Sequence, residues 1–207
     1  MFQSVMNAEE RHDIGAHYTS EENILKLIHP LFLDGLRKEF NVIKKLSPSR
    51  RTDRLAAFHS KIAGLKFLDP ACGCGNFLVI SYRELRLLEF DILELLLGNE
   101  KVFDIHNEIK VNVNQFYGIE IEKFQAQIAQ AAMWLVDHQM NMQVRERFGE
   151  YFIRIPLKAA ASIHCANSLT TDWESVIPKN ELELFIGNAV SATRTRQPTE
   201  GWQGSLK

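Results

Sequence analysis

Long apolar runs are missing from this chain. No window of its 207 residues reaches the ~18 consecutive apolar residues of a membrane-spanning helix, so no membrane partner is expected. Met1 to Glu10 has no apolar core of signal-peptide length and closes on Glu9-Glu10. Cysteine is scarce: Cys72, Cys74 and Cys165 are odd in number, and the first two stand too close for an ordinary bridge. That excludes a disulfide framework and implies a reducing, cytoplasmic setting. A strong charge is also lacking. The net charge of −2 provides no overall field to attract nucleic acid, which disfavours a stand-alone DNA binder. It leaves room for a domain whose DNA cleft another domain completes. Internal repeats are absent too. What is present is 45% hydrophobic and 24% charged residues, the balance of one soluble globular core.

Thr19-Ser20-Glu21-Glu22 fits a capping box, with Thr19 as cap and Glu22 reaching back. Ile24, Leu25, Ile28, Leu31, Phe32, Leu36 and Phe40 follow at helical spacing, with Pro30 expected to kink or restart the helix. After the break at Ser47-Pro48-Ser49, a basic helix is predicted over about 51–63, ending at Gly64. Strands are predicted over 65–68, 115–121, 162–165 and 182–186. Helices are predicted from Asn76 to the Gly98-Asn99 stop and over 123–140. Strands alternating with helices imply a parallel sheet with helices on both faces. The boundaries are 1–64 for an N-terminal loop and helical segment, 65–188 for a partial Rossmann-like domain, and 189–207 for a disordered tail.

The most specific stretch is Asp69-Pro70-Ala71-Cys72-Gly73-Cys74-Gly75-Asn76-Phe77-Leu78, where a strand runs through small residues into a helix. Glycines there admit a ligand close to the backbone. A carboxylate at the strand's carboxyl end suits a cationic group such as the amino group of a methionine moiety. The dinucleotide fingerprint fails, because Leu78 stands where its third glycine belongs. Glu120 ends the second strand, placed to accept from ribose hydroxyls, but lies 51 residues beyond Asp69 rather than the ~20 of a dinucleotide unit. His164 and Cys165 with the earlier cysteines do not match zinc spacing, and no metal site is expected.

The decapeptide resembles the first motif of the adenine-N6 DNA methyltransferases, Asp-Pro-Ala-Cys-Gly-Ser-Gly-x-Phe-Leu, with Cys74 replacing serine. The resemblance implies a Rossmann-like α/β fold that uses S-adenosylmethionine, with the loop Asp69, Ala71, Gly73 and Gly75 around its methionine end and Phe77 packing the site. Ile14-Gly15-Ala16-His17-Tyr18-Thr19-Ser20 resembles the family's amino-terminal Gly-x-x-Tyr/Phe-Thr-Pro loop, which makes Tyr18 and Thr19 cofactor contacts. Phe116 to Ile121 is similar to the second motif, with Glu120 on the ribose. Ile163 to Trp173 is similar to the third, with Asn167 at the adenine edge. The order of motifs resembles the methyltransferase part of single-chain type II restriction–modification enzymes.

The fourth family motif, a strand ending in Asn-Pro-Pro-Phe or Asn-Pro-Pro-Tyr, holds the flipped adenine. Here Leu184-Phe185-Ile186-Gly187-Asn188 is followed by Ala189-Val190-Ser191, so Asn188 is the catalytic candidate of an incomplete motif. The expectation is an enzyme by family whose chain, truncated or frameshifted at this motif, is inactive alone and meets DNA through a missing downstream domain. Two other readings stand beside it: a non-catalytic cofactor-binding remnant needing a partner chain, and a fragment of a protein-glutamine methyltransferase, a class that shares the Asn-Pro-Pro-Tyr chemistry.

Overall fold

The computed structural model describes residues 19–98, 105–148, 161–178, 180, 182 and 184–186. Its first helix, α1 (Glu21–Ile28), is capped by Ser20, whose hydroxyl accepts from the Asn23 N–H at 3.4 Å. This corrects the expected Thr19 cap by one residue. Glu22, expected to reach back, instead pairs with Lys26 at 2.7 Å. Pro30 distorts the helix locally, as expected, and does not restart it. Lacking the N–H of an α-helical bond, it sits in one widened π turn over His29–Leu33, closed by the Asp34 N–H on the His29 carbonyl. The helix then runs on as α2 (Asp34–Lys44), burying Leu36, Phe40 and Ile43. The next, α3 (Pro48–Gly64), starts about a turn earlier than predicted, because proline is tolerated in the first turn of a helix.

The sheet has four parallel strands in the order β3-β2-β1-β4: β1 (Phe67–Asp69), β2 (Phe116–Glu120), β3 (Ser162–Cys165) and β4 (Leu184–Phe185). Helix α4 (Asn76–Leu97) crosses from β1 to β2, with a short α5 (Ile105–Glu108) on the way. Helix α6 (Lys123–Phe148) crosses from β2 to β3 and is two turns longer than predicted, because buried Met140 and Val144 continue the spacing of Met133 and Val136. All the long helices share one core with the face of the sheet that presents Phe67 and Phe116, whose rings stack at 4.7 Å. Among the described residues the opposite face, with Leu68 and Ile119, is covered by the short 3-10 turn Trp173–Ser175 with Val176 and Ile177 rather than by a long α-helix. No helix among the described residues is long and apolar enough to cross a membrane.

Pairing proceeds from β1 to β2 to β3 on one side, and β4 then joins β1 on the other. The direction of winding therefore reverses between β1 and β4. Ligands of open α/β sheets bind beyond the carboxyl ends of the strands at such a point.

A buried polar network fixes α4. Arg86, fully buried, donates to the Tyr82 hydroxyl at 2.9 Å and to Asn141 at 3.3 Å, and lies 3.6 Å from Asp137. Its Nε stands 3.3 Å from Glu89 Oε2, an ion pair without hydrogen-bond alignment. Glu89 Oε1 accepts from His59 at 2.8 Å and from the N–H groups of Lys110 and Val111 at 2.7 and 2.8 Å. One cluster thus ties α3, α4, α6 and the strand-bound connection together.

Candidate cofactor site

The site forms where β1 and β2 end side by side. Asp69, 1% exposed, accepts from the Ala71 N–H at 3.1 Å. The chain then turns, with Gly75 N–H on the Cys72 carbonyl at 2.8 Å and Cys72 N–H on Ile119 at 3.0 Å, so the loop remains bonded to β2. Gly73 (φ 54°) and Gly75 (φ 82°) take the left-handed conformation that disfavours side chains. Gly75 is the N-cap of α4, whose free N–H groups open onto the loop.

The two glycines differ in purpose. A Cβ on Gly73 would meet nothing within 4 Å, so that backbone is open to a ligand. A Cβ on Gly75 would lie 3.1 Å from that of Ala129, so its missing side chain makes room for α6. Gly118 is required by the same logic: a Cβ there would come within 2.8 Å of both Cys72 Sγ and Ile163 Cδ1. Phe77 is buried in the core under the loop.

Glu120 is 8% exposed and clamps the loop. Its Oε2 accepts from the Gly73 N–H at 2.8 Å and its Oε1 from the Glu122 N–H at 2.9 Å. A carboxylate offers about four lone-pair positions, so two acceptor positions remain. Burial, opposed by the Ala71 hydrogen bond and reinforced by the nearby Glu120 charge, pushes Asp69 up to about 7. Burial likewise pushes the Cys72 thiol well above its usual range, so it is no nucleophile. In their ionised forms two carboxylates flanking a glycine loop suit an ammonium and hydroxyl donors better than a phosphate, so charge as well as spacing disfavours a dinucleotide.

Asn167 stands beside Glu120, since the Ala166 N–H bonds the Glu120 carbonyl at 2.9 Å. Its side-chain oxygen is taken by the Leu169 N–H at 2.9 Å. Its NH₂ group and the second lone pair of that oxygen remain for a ligand. Thr19 precedes α1, whose Glu21 pairs with Arg83 of α4 at 2.7 Å; this puts the start of α1 beside the second turn of α4. Tyr18 and Asn188 lie outside the described residues.

Three apolar side chains that the sequence did not single out are exposed within a few residues of Glu120 and Asn167 along the chain: Ile121, Phe124 and Leu169, at 60%, 67% and 44%. The available signal was an isoleucine directly after the acidic strand end, where a turn would ordinarily be polar.

A family profile described as "MmeI, DNA-methyltransferase domain" matches residues 44–199. The chain is 40% identical over 188 residues to "DNA methyltransferase A" of Bacillus subtilis (strain 168), covering 90% of this chain and 21% of that protein. It is 30% identical over 149 residues to "Putative type II restriction enzyme and methyltransferase RM.MjaORFECS2P" of Methanocaldococcus jannaschii, covering 71% of this chain and 12% of that protein. A solved structure described as the Type IIL restriction-modification enzyme MmeI in complex with DNA superposes with a TM-score of 0.81 at 56% identity, over 90% of this chain and 24% of that one. The chain therefore spans a quarter or less of each of these proteins.

Proposed function

Because the chain belongs to the MmeI DNA-methyltransferase domain family, we propose that its loop 69–75 and Glu120 bind S-adenosylmethionine, as the cofactor half of an adenine-N6 DNA methyltransferase of a restriction–modification system. The observation that carries this is the pair of buried carboxylates, Asp69 and Glu120, on either side of an open glycine backbone.

When bound, S-adenosylmethionine supplies an electrophilic methyl group on a sulfonium. Asp69, as the anion, accepts from the ammonium of the methionine moiety. Glu120 accepts from the ribose hydroxyls with the lone pairs its loop contacts leave free. Ile121, Phe124 and Leu169 offer apolar cover for the adenine ring, and Asn167 donates to its edge. Tyr18 and Thr19 close the methionine side. Asn188 accepts from the amino group of the target base. DNA is the substrate, and the proteins similar to this chain are named for acting on or binding it.

Titration calorimetry tests the cofactor half. The folded chain takes up S-adenosylmethionine, and Glu120→Gln weakens it about 10- to 100-fold, the worth of a charged hydrogen bond. Absence of heat from folded wild type at millimolar ligand defeats the assignment.

The chain alone should transfer no methyl group to DNA. Asn188 is followed by Ala189-Val190-Ser191 instead of two prolines and an aromatic ring, so the extruded base lacks roughly 1–3 kcal/mol of stacking. Tritiated methyl incorporation into mixed-sequence DNA should stay at background; label that vanishes in Asn188→Ala would show the opposite.

A further inference from the structure

Charge is spread unevenly along this chain. Between Asn41 and Gly64 six Lys or Arg residues meet one acid, Asp53, so the stretch carries +5 within a net charge of −2. Lys61 is satisfied by Glu39 at 2.6 Å. Lys45, Arg50 and Arg54 are exposed and Arg51 half-buried, and among the described residues none of the four joins an ion pair.

Two of them also break a local rule. Arg50 and Arg51 sit in the first turn of α3, which has neither a side-chain cap nor an acidic residue there. The positive end of the helix dipole disfavours cations at that position. Nothing within the fold compensates, and an uncompensated local conflict marks side chains kept for an outside partner.

The patch is remote from the cofactor loop. Lys44, just before it, lines a hollow of about 270 Å³ with Glu94 and Leu95, at the carboxyl end of α4. The loop is at the other end of that helix, roughly 33 Å away at the α-helical rise.

Three arginines select phosphate, which guanidinium groups grip in bidentate pairs. The only aromatic rings in the stretch, Phe58 and His59, are buried, so no platform exists on which unpaired bases could stack. Val42 is the one large exposed apolar side chain among the described residues there, too little to enter a lipid surface.

We propose that the turn between α2 and α3, with Lys45, Arg50, Arg51 and Arg54, is a backbone-contact surface for double-stranded DNA, separate from the place where the target base meets the cofactor. This rests on the reading of DNA as the substrate, but its test does not depend on cofactor binding.

The probe is a fluorescein-labelled, mixed-sequence duplex of 24 base pairs, titrated with the full chain across a salt series by anisotropy. Each phosphate contact adds about 0.9 to the slope of log affinity against log salt. R50E/R51E/R54E should weaken duplex binding at least tenfold at low salt and reduce that slope by two to three. R50Q/R51Q/R54Q should go the same way with a smaller loss of affinity. K26E/K38E/K110E makes the same change of net charge on exposed side chains elsewhere and should change affinity less than threefold. Circular dichroism spectra and calorimetry with S-adenosylmethionine should match wild type for all three variants, with melts differing only by the small surface-charge effects at the α3 amino end and at the Glu22–Lys26 pair, which separates loss of the patch from loss of the fold or of the cofactor site. Equal losses in the patch and control variants, or an unchanged slope, overturn the proposal. A tenfold preference of wild type for the single strand of the same length overturns it as well.

Discussion

Asp69→Asn should raise the melting temperature of the ligand-free chain at pH 8 while abolishing cofactor binding. Asp69 is held at about 7 when folded, chiefly by burial, against 3.8 as its ordinary value. A carboxyl whose folded pKa is raised binds its proton more tightly in the native state. Its contribution to stability is complete below about pH 3.8 and is lost as pH rises through 7. At pH 8 the full cost is present, and a separation of that size corresponds to about 4 kcal/mol at most, less what relaxation around the charge recovers. Asparagine keeps an oxygen for the Ala71 N–H and carries no charge, so the variant escapes the cost. The gain in melting temperature should be roughly 5–10 °C for a chain of this size, shrinking toward zero near pH 4. The buried charge of Asp69 thus costs stability that a cationic ligand would restore. Binding of an ammonium requires the anion, so wild-type affinity should fall about tenfold for each pH unit below 7. Scanning calorimetry at pH 4, 6 and 8 with titrations at pH 6 and 8 checks both halves. Identical melting of variant and wild type at pH 8 would remove the basis of the argument.

Arg86→Met should be the most destabilising single change among the polar residues, at about 3–5 kcal/mol. The guanidinium stands between Glu89 and Asp137, all three buried, and its loss leaves Asp137 without a cation and Glu89 with only His59 beside it. Removing one of those charges at the same time should recover part of the loss, so Arg86→Met with Glu89→Gln should be more stable than Arg86→Met alone. Urea unfolding of the three proteins measures this coupling. With total stability of order 5–15 kcal/mol, a single-variant cost below about 1 kcal/mol would mean that the network contributes little to holding α4 against α6. The loop 69–75 leads into the amino end of α4, so the network also supports that loop through the helix.

Several features of this protein were legible in its sequence because they are local. The strand–turn–helix from Phe67 to Leu78 is contiguous, its glycines answer to backbone conformation, and Asp69 and Glu120 fall at strand ends that apolar runs announce. The cap at Ser20 rather than Thr19 was beyond the same reasoning, since either hydroxyl fits the pattern and only the path of the chain selects one. So was the widened turn at Pro30, where packing of Ile28, Phe32 and Leu33 keeps the helix continuous despite the missing N–H. Other features depend on residues far apart in the chain. Arg86 and Glu89 look like ordinary breaks in an apolar helix until His59, Asp137 and Asn141, 30 to 55 residues from their partners, close around them. Gly75 looks like a ligand glycine until Ala129 arrives against it. The clamp of Glu120 on Gly73 spans 47 residues. Local periodicity and turn chemistry are written in neighbouring residues, whereas burial, desolvation and charge pairing are properties of what the fold brings alongside. The sequence by itself therefore determined the order and type of the main elements and where Asp69 and Glu120 stand in them, and the tertiary structure decided which polar groups are buried, what each one pays in lost hydration, and which partner answers it.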